Sequence, residues 1–256
     1  MSNVVLVNKP KCLTPLQAIN LYREKYKIPP SEKVSYAGRL DPMAQGLLLL
    51  LLGEANKKRQ NFEQLTKVYT FSILFGFKTD TYDHMGKILS TNSVPENLKE
   101  KITKEVPYFL AKNTQAYPNY SSKTIAGKPL FYWARKNQLS TIKIPDHPIK
   151  IFDFVFLDIK KQTKKKFIQN IIKEIKSVKG DFRQKEIIAN WQQIEAISKE
   201  HEKIHVVTFQ ATVSSGTYIR SLANELGERV GCGACTYMIH RTKIGEMELS
   251  NAISLL

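Results

Sequence analysis

Asp41 stands apart from the other acids of this chain. It lies in residues 35–53, which read S-Y-A-G-R-L-D-P-M-A-Q-G-L-L-L-L-L-L-G. Proline restricts the residue before it to extended conformations, so Pro42 stiffens the Asp41 backbone. Gly38 and Gly46 flank the acid, and six leucines, Leu47 to Leu52, follow it. A short apolar run closed by glycine predicts a fully buried strand. A carboxylate on a stiff loop at the mouth of such a strand is well placed for chemistry, provided it is ionised. The alternative for Asp41-Pro42 is a turn cap with no chemistry.

Three further groups of residues could carry chemistry. Residues 67–77, K-V-Y-T-F-S-I-L-F-G-F, alternate with period two and predict a strand. By spacing alone, Tyr69 on it is a core aromatic. The polar turn that follows, K-T-D-T-Y-D-H-M-G-K, offers Asp83. Residues 123–135 interleave Lys123, Lys128 and Arg135 with Phe131, Tyr132 and Trp133. Charge for phosphates and ring faces for bases are what a nucleic-acid surface needs; an amphipathic helix over 130–136 with its rings inward is the competing reading. Cys232 and Cys235 form C-G-A-C, but a structural zinc needs four ligands, and Cys12 and His240 would have to complete the set. We assign no metal and no cofactor.

The motifs decide between these readings. G-R-L-D-P-x-A-x-G-L-L around Asp41 resembles the catalytic signature of the TruB family of pseudouridine synthases, which isomerise uridine 55 in the T loop of tRNA. K-x-Y followed by G-x-x-T-D-T-x-D-x-x-G, residues 67–86, resembles the family's second signature. S-x-G-T-Y-I-R-S-L-A, residues 214–223, resembles the third. K-P-x-x-x-T at residues 9–14 is similar to the first family motif, with Cys12 where glycine is usual. Residues 118–130, with Tyr120, Ser121, Lys123 and G-K-P-L, resemble a segment leading into an RNA-gripping loop. The resemblance implies Asp41, Tyr69 and Arg220 as catalytic residues, Arg220 holding Asp41 ionised through hydrogen bonds. It implies Tyr218, Ile219 and Ile239 as pocket walls, Asp83 as the acid ending the second motif, and Tyr120 and Lys123 near substrate. After Ile239 the family often has two basic residues; here they are His240-Arg241. A histidine often lies five residues before the aspartate and fills the space of the flipped base; here that position is Tyr36, which can stack in its place.

Composition agrees with such a partner. The 256 residues carry 39 Lys+Arg against 23 Asp+Glu, a net charge of +16. That balance suggests a polyanion, because phosphates neutralised by lysine and arginine release counterions. No basic-then-apolar leader and no run of transmembrane length is visible. Three cysteines fit a reducing compartment. We therefore expect a cytoplasmic protein acting on the T arm of tRNA as a monomer, without a protein partner or membrane. The alternatives are a non-catalytic tRNA-binding or folding factor on the same scaffold, or a synthase for another RNA.

The elements that must position these residues follow in order. Val4 to Val7 predicts a strand; Thr14 caps a helix from Pro15 towards Tyr26. Helices are expected over 54–65 and over 93–105, with Ser93 as cap, and strands over 149–159 and 205–214. Residues 162–203 depart from the family pattern: Phe167, Ile168, Ile171, Ile172, Ile175 and Val178, then Ile187, Ile188, Trp191, Ile194 and Ile197, fall at helical spacing around Gly180-Asp181. This predicts an inserted helical hairpin with lysines outward, either packed on the flank or touching tRNA. The whole is expected to be a mixed α/β (α+β) fold with a central, largely antiparallel sheet flanked by helices. We expect one catalytic domain over 1–256, without the small C-terminal RNA-binding PUA domain most of the family carries, so that affinity rests on the catalytic domain.

Overall fold

The computed structural model describes residues 3–256. Nine strands form its central sheet: β1 (Val4–Lys9), β2 (Val34–Ala37), β3 (Ala44–Leu52), β4 (Lys67–Phe75), β5 (Ile151–Thr163), β6 (Lys203–Val213), β7 (Ala234–Ile244), β8 (Met247–Glu248) and β9 (Ile253–Ser254). The order is β5-β6-β4-β7-β3-β1-β9, with β2 on β3 and β8 on β7. Only the β7–β3 and β1–β9 pairs are parallel; the rest are antiparallel. The α-helices are α1 (Pro15–Lys25), α2 (Arg59–Gln64), α3 (Leu98–Ala111), α4 (Leu130–Arg135), α5 (Lys164–Ser177), α6 (Gln184–Ile197) and α7 (Ile219–Val230). The fold is mixed α/β with a largely antiparallel sheet.

The leucine run becomes β3 because both of its faces are covered. Leu48 and Leu50 join one core with Phe71, Phe209, Leu222 and Leu226. Leu47, Leu49 and Leu51 join a second core with Ala37, Ala55 and Ile244. Each such burial contributes on the order of 2 kcal/mol. Thr14 caps α1 in a reciprocal capping box with Gln17, and Pro15 is its first residue. Cys12 takes φ +69°, the left-handed conformation that glycine supplies without strain, so the turn survives the cysteine.

Two expected helices are shifted. The 54–65 stretch is a 3₁₀ turn over Gly53–Lys58, then α2. Asn56 tightens it by donating to the carbonyls of Lys33, Leu51 and Gly53 and accepting from Ser35. The 93–105 helix begins at Leu98 and runs to Ala111, with Asn97, not Ser93, at its N-cap position. Pro95 disfavours helix at the residue before it, which delays the start.

The hairpin at 162–203 is present as α5 and α6, joined to the β5–β6 ladder at the end where Thr163 pairs with Lys203. Its apolar stripe, Phe167, Ile168, Ile171, Ile175, Ile187 and Trp191, packs against Leu74, Phe77, Met85, Val206 and Cys235. Among the described residues no helix is long and apolar enough to cross a membrane.

Candidate active site

A strand has two edges, and β3 uses them unevenly. One edge is taken by β1 from Val4↔Leu51 to Lys9↔Gly46. The other is shared: β7 pairs with Ala44 to Gly46, and β2 pairs with Leu49 to Leu52. The loop 38–43 runs from β2 back into β3 beside this division, and it carries Asp41. Gly46, at φ +103°, lets β7 come this close; a Cβ there would run into the Arg241 carbonyl.

Two buried cations hold that loop by its backbone. Arg241, on β7, donates Nε to the Leu47 carbonyl at 2.8 Å, Nη2 to Gly38 at 2.9 Å and Nη1 to Arg39 at 3.4 Å. Lys9, ending β1, donates to the carbonyls of Leu13 (2.5 Å), Pro10 (2.9 Å) and Pro42 (3.3 Å). Carbonyls on both sides of Asp41 are thereby fixed. Burial pushes the Lys9 ammonium down to about 7, against the pull of nearby Asp41.

This has a consequence for stability. Between pH 7 and the ordinary lysine range, the unfolded chain binds a proton that native Lys9 lacks, so stability rises with pH across that window. In Lys9→Met the rise should be smaller, and Lys67, lowered by burial to about 8, should account for part of what remains. Guanidinium unfolding at pH 7, 8 and 9 measures both slopes. Equal slopes would mean that buried Lys9 keeps its proton.

Asp41 meets Arg220 directly. Arg220 is the second residue of α7 and is 3% exposed. Its Nε donates to Asp41 Oδ2 at 2.6 Å, its Nη1 donates to the Thr81 carbonyl at 2.6 Å, and Asp83 Oδ2 lies 3.7 Å from Nε. Burial opposes the charge of Arg220, but Asp41 and Asp83 outweigh it and push its pKa up. Burial pushes the Asp83 carboxyl up, with Arg220 pulling the other way. Asp83 Oδ1 accepts from Thr81 Oγ1 (2.6 Å) and the Met85 amide (3.0 Å). Hydrogen bonds from the Thr236 amide to the Tyr82 carbonyl and from the His84 amide to the Thr236 carbonyl fasten this turn to β7.

The other walls come from the sheet and from α7. Tyr69, on β4, stands between Ala211 of β6 and Arg241 of β7 and is 8% exposed. Ile239 faces Ala44 and Phe71 across β7. Tyr218 precedes α7; its amide donates to Gln115 Oε1 at 2.8 Å, and Gln115 Nε2 donates to its carbonyl at 3.2 Å. Burial and nearby Asp41 raise its phenol. These residues surround a cleft of about 830 Å³, to which Asp41, Tyr69, Asp83, Arg220, Tyr36 and Tyr120 all contribute.

The cleft brings together Asp41, Tyr69, Arg220, Tyr36, Tyr218, Ile219, Ile239, Tyr120 and Asp83, with Phe131 and Arg135 of the basic-aromatic segment, but not Lys123, Lys128, Tyr132 or Trp133. Lys123 is exposed and lies 5.0 Å from the Tyr117 ring. Tyr36 lines the cleft from β2, with the Arg59 guanidinium 5.7 Å from its ring. The sequence did not single out Thr81, Phe182 or Arg183, all of which line the cleft, nor the anchoring of the loop by Arg241. Cys12, Cys232 and Cys235 are free thiols, and among the described residues no three His, Cys, Asp or Glu side chains cluster as a metal site would require.

Residues 23–180 match the family model described as TruB family pseudouridylate synthase (N terminal domain). The chain belongs to the TruB family. It is 33% identical over 253 residues to a protein named tRNA pseudouridine synthase B from Endomicrobium trichonymphae, covering 99% of this chain and 89% of that one. A protein of the same name from Aquifex aeolicus is 29% identical over 255 residues, covering all of this chain and 72% of its own length. Among solved structures, "Crystal Structure of a Cbf5-Nop10-Gar1 Complex" shares the fold with a TM-score of 0.58 at 18% identity, covering 98% of this chain. The TruB chain described here spans about half, 52%, of that solved chain.

Proposed function

We propose that this protein isomerises uridine to pseudouridine at position 55 in the T loop of tRNA, without a cofactor. The observation that carries the reading is the pair in the cleft: Asp41, 33% exposed, accepting at 2.6 Å from a buried arginine. The reaction breaks an N-glycosidic bond, turns the base and joins the sugar to carbon 5, with loss of the C5 proton. It needs a carboxylate that acts on the nucleotide, and Asp41 is the one so placed. Tyr69 stacks on the base and relays a proton; Tyr218, Ile219 and Ile239 close the pocket around it. Asp83 and Thr81 hold Arg220 from behind.

A base inside a folded T loop must leave its stack, at a cost of a few kcal/mol. Tyr36 offers a ring to fill the vacated space. The basic and aromatic residues of 117–136, Tyr120 and Lys123 included, supply phosphate and base contacts on the rim.

Tritium release from tRNA transcripts labelled at uridine C5 tests this, with position 55 intact or replaced by cytidine. Release from the intact transcript alone is expected. Equal release from both would keep the enzyme and remove the assigned target. Tight binding with no release from either would favour a tRNA-binding or folding factor.

A further inference from the structure

The inserted hairpin does more than cover a flank of the sheet. The loop between α5 and α6 reaches the cleft, where Asp181, Phe182 and Arg183 form part of its wall. The helices themselves are already anchored by Phe167, Ile168, Ile171 and Trp191 in the apolar core beneath them. The contacts of the tip are of another kind.

Arg183 makes a two-pronged ion pair with Asp80, Nη1 to Oδ2 at 2.6 Å and Nη2 to Oδ1 at 3.1 Å. Both side chains are largely covered, at 15% and 18% exposure. The same guanidinium lies over the Tyr120 ring at 4.2 Å. Two residues earlier, Asp181 accepts from Arg135 of α4 through its carboxylate at 2.9 Å and through its carbonyl at 2.5 Å. Asp80 belongs to the turn whose Thr81 carbonyl and Asp83 carboxylate face Arg220. Three separate parts of the chain therefore meet at the tip: the turn behind the catalytic pair, the Tyr120 segment and α4.

The tip is also shaped for this. Arg183 has φ +61° at the start of α6, and the Phe182 amide donates to Gln184 Oε1 at 2.9 Å. The left-handed residue sends the guanidinium back towards Asp80 instead of along the helix. A bidentate fork of this kind fixes orientation as well as charge, which a lysine could not do.

We infer that the hairpin tip is a built-in wall of the RNA site, in which Arg183 and Asp181 position Tyr120 and the basic-aromatic segment up to Arg135 before RNA arrives. Arg183 is a positioning residue: it acts through Tyr120 and the segment. The inference rests on the reading that an RNA strand occupies the cleft. A segment ordered in advance does not have to be ordered at the expense of binding, so loss of the tip contacts should weaken RNA capture more than it slows the chemical step.

Hydrogen exchange of the free, full-length protein measures the ordering without any RNA. Arg183→Ala should raise exchange within residues 117–136 about tenfold and leave β4 unchanged. Arg183→Lys should fall between, because it keeps the charge and loses the fork. If Arg183→Ala does not fold, Arg183→Lys alone carries the comparison. With tRNA transcripts, KM should rise about tenfold while kcat falls less than about threefold. Unchanged exchange in 117–136 would overturn the positioning role, and faster exchange with unchanged KM would overturn its service to RNA. If the wild-type protein proved inactive on every transcript, the exchange result would still decide the ordering, and the failure would lie with the proposed reaction.

Discussion

Asp41→Asn is expected to lower the single-turnover rate of tritium release by at least about 10⁴-fold, the scale seen when a reacting group is removed from an assembled site. The substitution keeps the shape of the side chain. Asparagine can still accept from Arg220 Nε, and Arg220 keeps the Thr81 carbonyl and its proximity to Asp83. What disappears is the charge that the proposed reaction requires at this position. Stability should fall by only about 1–2 kcal/mol, since one charge-assisted hydrogen bond becomes a neutral one. RNA affinity, measured by filter binding, should stay within about threefold, because the contacts proposed for the phosphates lie elsewhere, in residues 117–136. The split between lost rate and kept affinity separates catalysis from binding. Release by Asp41→Asn at a tenth of the wild-type rate or more would remove Asp41 from the chemistry.

Much of this site can be read along the chain because its key residues sit at marked places. Pro42 stiffens Asp41, six leucines announce β3, and the period-two alternation of 67–77 places Tyr69 on a strand, which the structure ends at Phe75. Those signals are local, and the structure keeps them. Strand β7 is different. Its residues 239–243, I-H-R-T-K, mix charge into a central position, and hydropathy gives no reason to expect a buried strand. The charge is there because the partners of Arg241 are the carbonyls of Gly38, Arg39 and Leu47, brought in from about 200 residues earlier. Periodicity cannot show a partner of that kind.

The hairpin divides the same way. Its two amphipathic helices were legible from the spacing of isoleucines and Trp191. The work of its tip was not, because Asp80 and Arg183 are 103 residues apart and neither is unusual where it stands. The shifted start of α3 has a smaller cause: Ser93 is a good capping residue, but Pro95 stands where the first turn would need helical backbone before it. The pattern is consistent. Apolar burial is written into neighbouring residues, while the buried guanidiniums of Arg241 and Arg220 are explained by the distant oxygens they meet.

Arg220→Met should be the most destabilising single change at the site, by about 3–5 kcal/mol, the usual cost of removing one member of a buried ion pair. Methionine fills much of the volume but leaves Asp83 buried without its cation, Asp41 without its partner, and the Thr81 carbonyl without a donor. For a chain of this length the thermal midpoint should drop by on the order of 10 °C. The direction with pH identifies the cause. Burial already raises the Asp83 carboxyl, and Arg220 is the main charge opposing that rise. Without it the native Asp83 carboxyl binds a proton more readily than the unfolded chain does, so stability in Arg220→Met increases as pH falls from 7 towards 5. Wild type and variant should therefore converge on acidification. Adding Asp83→Asn to Arg220→Met should recover part of the loss at pH 7 and flatten the convergence. Activity should not return in either variant, because Asp41 still lacks the donor that fixes its position. Urea unfolding of the three proteins at pH 5, 6 and 7 gives the answer: a gap that stays constant with pH would mean that Arg220 stabilises the fold by packing, and that the carboxylates beside it do not depend on its charge.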